Sequence, residues 1–164
     1  MMSNGTQRSA MQTAESDIYF MQEAIQLAKQ AAALGEVPVG AVICHNGQRI
    51  AGAFNRRESD KSALSHAEIL AIAQANQALG GWRLHECDLY VTLEPCPMCA
   101  GAIINARIRR VVYGAKDGKA GCFGSILDMN SYAFNHQPQV QAGVCEEACA
   151  AILSDFFARL RKRK

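Results

Sequence analysis

Two short motifs, His66-Ala67-Glu68 and Pro95-Cys96-Pro97-Met98-Cys99, bring together the residue types that hold and use a transition metal. One imidazole and two thiolates make three ligands for Zn²⁺. A structural zinc site ordinarily has four protein ligands, whereas three leave a position for water. Zinc lowers the pKa of such a water from 15.7 to about 7, which supplies hydroxide at neutral pH. Hydroxide adds to the electrophilic carbon of an amidine-like ring. A ring nitrogen must then be protonated, and the amine must gain a proton before it leaves as ammonia. Glu68, two residues beyond His66, is close enough for its carboxylate to serve both transfers.

Rival readings exist for each residue. Glu68 as a metal ligand is one alternative. Another is a structural zinc module in which Glu68 is an ordinary polar helix residue. That module needs a fourth ligand, and His45, His85 and His136 all lie far from both motifs in sequence. His45, beside a turn, and His85, before a strand, read as surface residues, and His136 falls in a polar loop. Met98 suits packing better than ligation. Glu94 reads as a hydrogen-bonding partner for local backbone.

Seven cysteines, an odd number, do not suggest a disulfide framework in a chain with no export signal. Cys44, Cys87 and Cys122 read as small buried hydrophobes. Cys145 and Cys149 share a helix face, where packing is favoured over metal binding because no histidine has suitable spacing.

The chain of 164 residues is long enough for one domain with a real core. Its apolar share of 49% and charged share of 20% are those of a soluble globular protein. No apolar run reaches the roughly eighteen residues of a membrane span. Residues 1–16 are polar, lack the apolar stretch of a signal peptide and read as a disordered tail, with the folded domain at 17–164. A cytoplasmic location is expected. The net charge is +2, yet five positive charges crowd the last six residues: Arg159, Arg161, Lys162, Arg163 and Lys164. Composition alone favours a solvated tail over an anion-binding arm.

The motifs need elements to position them. The pattern predicts a helix over Asp17 to Leu34, with Ile18, Met21, Ile25, Ala28 and Ala32 as its apolar stripe. Strands are predicted over Val37 to Cys44 and Arg49 to Phe54, joined at the hairpin signal Asn46-Gly47. A polar loop, Asn55 to Ser65, leads to a helix over His66 to Leu79 that Gly80-Gly81 ends. Then follow a strand from Asp88 to Leu93, a short helix from Pro97 to Ala106 and a strand from Arg109 to Gly114. A glycine-containing loop spans Ala115 to Asn130. A weak strand near Val140 precedes a final helix from Glu146 to about Arg161. Strands joined through helices imply an α/β fold with a partly parallel sheet and helices on its faces. Both metal motifs then fall at helix N-termini, where exposed N–H groups and the dipole favour thiolates.

The H-x-E…P-C-x-x-C pattern is a signature of zinc-dependent nucleobase deaminases. From about Tyr19 to Arg161 the chain resembles the cytidine deaminase-like superfamily, and more narrowly the bacterial tRNA-specific adenosine deaminases. Beside the metal motifs, the matching segments include Glu36-Val37-Pro38-Val39-Gly40-Ala41-Val42, Phe54-Asn55-Arg56, Leu89 to Ala102, Gly114-Ala115-Lys116-Asp117 and Leu153-Ser154-Asp155-Phe156-Phe157. The metal motif alone is shared with cytidine, deoxycytidylate, guanine and riboflavin-pathway deaminases. The Gly-Ala-x-Asp-x-Lys segment and the Leu-Ser-Asp-Phe-Phe helix narrow the choice.

The resemblance implies a three-layer α/β/α fold with a mixed five-stranded sheet, a homodimer, one Zn²⁺ per subunit, and conversion of the wobble adenosine of a tRNA anticodon loop to inosine. It implies His66, Cys96 and Cys99 as ligands and Glu68 as proton shuttle. It gives Asn55 a hydrogen bond to the flipped base, Val37 and Leu93 the apolar walls of the base pocket, and Asp117 a contact with the nucleotide 5′ of the target. Phe156 and Arg161 would belong to an RNA-facing terminal helix, although Phe156 also suits core packing. With a polyanionic partner implied, the basic C-terminus reads better as an RNA-binding arm. Two other functions stay open: a small-molecule deaminase of guanine or cytosine-type substrates, and a noncatalytic zinc-stabilised RNA-binding module.

Overall fold

The computed structural model describes residues 4–163. Helix α1 spans Asn4–Ala33 and is followed by the hairpin β1 (Gly40–His45) and β2 (Gln48–Phe54). Helix α2 (Ala67–Leu79), β3 (Cys87–Leu93), α3 (Pro97–Asn105) and β4 (Arg110–Ala115) come next. A single 3₁₀ turn at Met129–Ser131, the short strand β5 (Gln139–Gln141) and α4 (Glu146–Lys162) complete the chain.

The five strands form one sheet in the order β2-β1-β3-β4-β5. β1 is antiparallel to β2 and β3, while β3–β4 and β4–β5 are parallel. The mixed sheet follows from the connections. Asn46 and Gly47 both take positive φ, 52° and 74°, which is what a two-residue hairpin turn requires. Each parallel pair needs a crossover: α3 supplies the one from β3 to β4, and the long segment carrying the 3₁₀ turn supplies the one from β4 to β5.

Side chains alternate along the strands and build two cores. Ala41, Ile43, Leu89, Val91, Val111 and Tyr113 face α2 and α3, packing with Ala67, Ala71, Ile72 and Ile103. Val42, Cys44, Tyr90 and Val112 face the other way, against Phe20, Met21, Ala24 and Ile25 of α1 and Cys149 of α4. This is the expected three-layer arrangement. At Gly40, the first residue of β1, an added Cβ would run into the Ala24 carbonyl, so glycine there lets α1 lie close on the sheet.

Helix α1 differs from its sequence pattern in two respects. The polar stretch 1–16, expected as a disordered tail, is helical from Asn4 onward; Met1 to Ser3 lie outside the described residues. No proline interrupts it, and a helix already held on the sheet by its later turns extends upstream without a new nucleation cost. The buried stripe also runs differently. Ile18 is exposed and Asp17 is buried. The Asp17 carboxylate accepts two hydrogen bonds from the Arg110 guanidinium, at 2.7 and 2.6 Å, and one from the Tyr90 hydroxyl at 2.9 Å. This charged tie between α1, β3 and β4 turns the helix face away from the one that apolar spacing alone selects.

Candidate active site

The strand register brings one end of the sheet to the chemistry. Gly40 pairs with Phe54, Ala41 with Val91, and Leu93 with Ala115. The start of β1 and the ends of β2, β3 and β4 therefore emerge side by side. From them come Val37 and Val39, Asn55, Leu93 and Glu94, and Asp117.

The helix N-termini bring the candidate metal donors to the same place. His66 is the N-cap of α2 and Cys96 the N-cap of α3, and neither side chain caps its own helix. Both are thus free to turn inward, with Pro97 at the start of α3 where its missing N–H costs nothing. His66 Nδ1 lies 3.6 Å from Cys96 Sγ and 3.5 Å from Cys99 Sγ. All three donor atoms fall within 4.8 Å of one another and could hold a metal ion. Donors this close share protons. Cys96 is pushed down to about 4, chiefly by its hydrogen bond with Cys99 and then by His66, and His66 is raised chiefly by its hydrogen bond with Cys96. A divalent cation at their centre would replace the shared protons.

A pocket of about 230 Å³ opens over these donors. That is below the range of drug-sized sites, and suits a single nucleobase. Val37, Asn55, His66, Glu68, Leu93, Cys96 and Asp117 line it, so all the expected pocket residues meet here. Cys99 is completely buried just behind them. Glu68 is 4% exposed, and burial pushes its carboxyl up to about 7. Asn55 is held by its own amide: Nδ2 donates to the Val37 carbonyl at 3.1 Å, and Oδ1 accepts from Arg57 N at 3.1 Å. One amide hydrogen and one lone pair are left for a ligand.

The sequence reading did not single out Val39, Arg57, Ala67 or Ala120, which also line the pocket. Ala67 stands between two motif residues, and that adjacency was the available signal. Ala120 gives none, because its place depends on how the loop after β4 folds back. Glu94 does bond to backbone, but to the distant segment 117–125 and not to its own neighbours.

Phe156 and Arg161 are elsewhere. Phe156 lines a larger groove of about 470 Å³ between α1 and α4, with Lys29, Asp155, Arg159, Leu160 and Arg163. That groove contains none of the three metal donors. Arg161 is exposed in the last turn of α4 and lines neither cavity. Cys149 is buried against Gly114, and among the described residues only His66, Cys96 and Cys99 form a possible metal group. His45 lies 3.5 Å from Glu86, and His136 bonds the Ile108 carbonyl at 2.7 Å. No helix is long and apolar enough to cross a membrane among the described residues.

The chain is similar to known deaminases in sequence and in fold. The model of the MafB19-like deaminase family matches residues 15–161. A tRNA-specific adenosine deaminase of Bacillus subtilis (strain 168) is 52% identical over 149 residues, covering 90% of this chain and 92% of the relative. Another, from Streptococcus pyogenes serotype M1, is 42% identical over 151 residues, covering 92% and 88%. A solved structure from a study of A-to-I editing by tRNA:A34 deaminases at the wobble position of transfer RNA superposes with a TM-score of 0.80 at 46% identity, covering 82% of this chain and 99% of the other. The guanine deaminase from Nitrosomonas europaea superposes with a TM-score of 0.70 at 25% identity, covering 86% and 84%. The nucleobase deaminases thus share the fold, but identity rises sharply toward one branch of them, and the chain belongs to the family of the tRNA-specific adenosine deaminases.

Proposed function

We propose that this protein hydrolytically deaminates adenosine to inosine at the wobble position of a tRNA anticodon loop, using one Zn²⁺ per subunit held by His66, Cys96 and Cys99. The observation that carries the reading is a base-sized pocket lined by His66, Cys96, the buried Glu68 and Asn55, with the third donor, Cys99, clustered behind it, in a chain 52% identical to a tRNA-specific adenosine deaminase. The donor spacing supports zinc. Tetrahedral bonds of about 2.0–2.1 Å to nitrogen and 2.3 Å to sulfur set those two ligand atoms about 3.6 Å apart. The His66 nitrogen is 3.6 and 3.5 Å from the two sulfurs.

Zinc, when bound, makes water acidic enough to furnish the nucleophile at neutral pH. Glu68 takes the proton that the attacking water gives up and passes it to N1 of the ring. It then carries the second proton to the departing amine, so that C6 gains an oxygen and loses ammonia. Its burial suits this role, since a carboxyl near neutrality both accepts and donates readily. Asn55 offers its remaining N–H and lone pair to the edge of the base. Val37 and Leu93 close apolar walls on its faces, and Asp117 stands where the next nucleotide 5′ of the target would pass. An anticodon loop suits such a pocket because its bases are partly unstacked, and extruding one costs little.

The catalytic unit is a single domain covering 17–164, with α1 extending upstream of it. The protein acts as a cytoplasmic homodimer in this proposal. Phe156, Arg161 and the basic end of α4 serve RNA docking away from the base pocket. Ammonia release from a tRNA transcript, measured beside free guanine, cytidine and adenosine, tests the substrate class. Release from tRNA alone supports the proposal; release from free guanine alone would replace it with a small-molecule deaminase.

A further inference from the structure

We infer that Glu94 is a positioning residue that fixes one wall of the base pocket by gripping the loop after β4. The inference rests on the adenosine deaminase reading given above. Glu94 is 2% exposed, and its carboxylate is saturated with hydrogen bonds from that loop. Oε1 accepts from Asp117 N at 3.1 Å and from the Ser125 hydroxyl. Oε2 accepts from Phe123 N at 3.0 Å and Ser125 N at 3.1 Å. Four donors from a segment more than twenty residues away converge on one side chain.

The loop has no helix or strand of its own, only a single antiparallel bridge between Phe123 and Asp128 that closes its far end. Between β4 and the 3₁₀ turn its internal ties are short ones, such as Gly121 N to the Asp117 carbonyl at 2.9 Å and the Asp117 carboxylate accepting from Lys119 N and Ala120 N. What ties it to the rest of the fold at the pocket end is Glu94 together with the neighbouring Pro95 carbonyl, which accepts from Cys122 N at 2.9 Å, while the Tyr113 hydroxyl donates to the Phe123 carbonyl at 3.3 Å. Glu94 and Pro95 directly precede the metal donor Cys96. The grip therefore registers the wall residues Asp117 and Ala120 against the metal end of the pocket. Gly121 completes the fit: a Cβ there would collide with the Glu94 carboxylate and the Asp117 carbonyl.

Such a residue acts on substrate fit and leaves the proton transfers to Glu68. Glu94→Gln keeps the volume but turns an NH₂ toward backbone N–H groups, so the grip fails on one side. With an RNA hairpin carrying one loop adenosine, the variant should show unchanged metal content and circular dichroism. Its KM should rise about tenfold, the equivalent of one buried hydrogen bond left unmade, while kcat stays within about threefold. Ser125→Ala removes a single donor and leaves the carboxylate in place. It should raise KM less and in the same direction, and it carries the test alone if Glu94→Gln does not fold. Asp117→Ala should add less to KM in the Glu94→Gln background than it does in the wild type, because the two act through the same wall. Unchanged KM in the folded variants, loss of metal from Glu94→Gln, or a fall in kcat alone would overturn the inference. Wild-type protein that converts no loop adenosine would instead overturn the functional reading, and this inference with it.

Discussion

Asn55 and Val37 lie at opposite ends of the β1–β2 hairpin in sequence, yet the Asn55 amide donates to the Val37 carbonyl at 3.1 Å. A polar pocket residue and an apolar one are thereby fixed as a unit. Asn55→Ala breaks that tie and removes the group offered to the base edge. Deamination should fall by one to two orders of magnitude or about 1–3 kcal/mol of transition-state binding, the range for a polar contact left unpaired. Metal content should stay the same, since Asn55 is not a donor. Single-turnover kinetics with paired metal analysis check both halves, and unchanged kinetics would remove Asn55 from the site.

Glu68→Ala separates proton transfer from metal binding. Glu68 is not among the three clustered donors, so zinc and fold should survive. Turnover should drop by at least about 10²–10⁴, the usual worth of one general acid–base group, because the same carboxylate is used twice. Elemental analysis decides the role: a variant that loses its zinc would make Glu68 a ligand.

Asp17 should matter to stability and not to the chemistry. Asp17→Ala leaves Arg110 partly buried without its counter-ion and takes the acceptor from the Tyr90 hydroxyl. Removing one member of a buried ion pair costs about 3–5 kcal/mol. Urea unfolding should show a loss of that size, whereas Asp17→Asn, which keeps an acceptor oxygen for one hydrogen bond, should lose less. Equal stability of wild type and Asp17→Ala would mean the tie contributes nothing.

The pH dependence of folding should carry the mark of Glu36. Burial alone would raise its pKa, but N–H groups of Ser59 and Glu58 at 2.9 and 3.0 Å, with the Ser59 hydroxyl and Arg56, outweigh it and hold the carboxyl below 4.5. A pKa lowered by folding contributes stability that is present above 4.5 and lost as pH falls through the folded value. Glu36→Gln should therefore be less stable than wild type at pH 7, by about 1–3 kcal/mol. The gap should close in acid. Urea titrations at neutral pH and at successive steps below pH 4.5 measure it, and a gap that did not narrow as the pH fell would contradict the assignment.

The elements were legible wherever local chemistry decides them. Asn46-Gly47 forced the hairpin, Gly80 ended α2, and Pro97 opened α3. The cluster of candidate donors was legible because His66 and the Cys96–Cys99 pair keep fixed spacing at helix starts. Less legible was anything settled by partners distant in sequence. Ile18 fits the apolar pattern of α1, but its neighbour Asp17 is buried, because Arg110 is 93 positions away and invisible to periodicity. Glu94 looked local for the same reason. Its partners lie in a loop whose path the sequence does not encode as a helix or strand. Ala120 reaches the pocket only through that path.

Inosine at one defined position tests the central claim most directly. Zinc-loaded protein is incubated with a tRNA transcript carrying adenosine at the wobble position, and every adenosine is read by reverse transcription, with Glu68→Ala as the control. The account predicts a read of guanosine at the wobble position alone, abolished in the control and by removal of the metal. Wobble adenosine left intact by active, zinc-loaded protein, or inosine formed equally by Glu68→Ala, would contradict it.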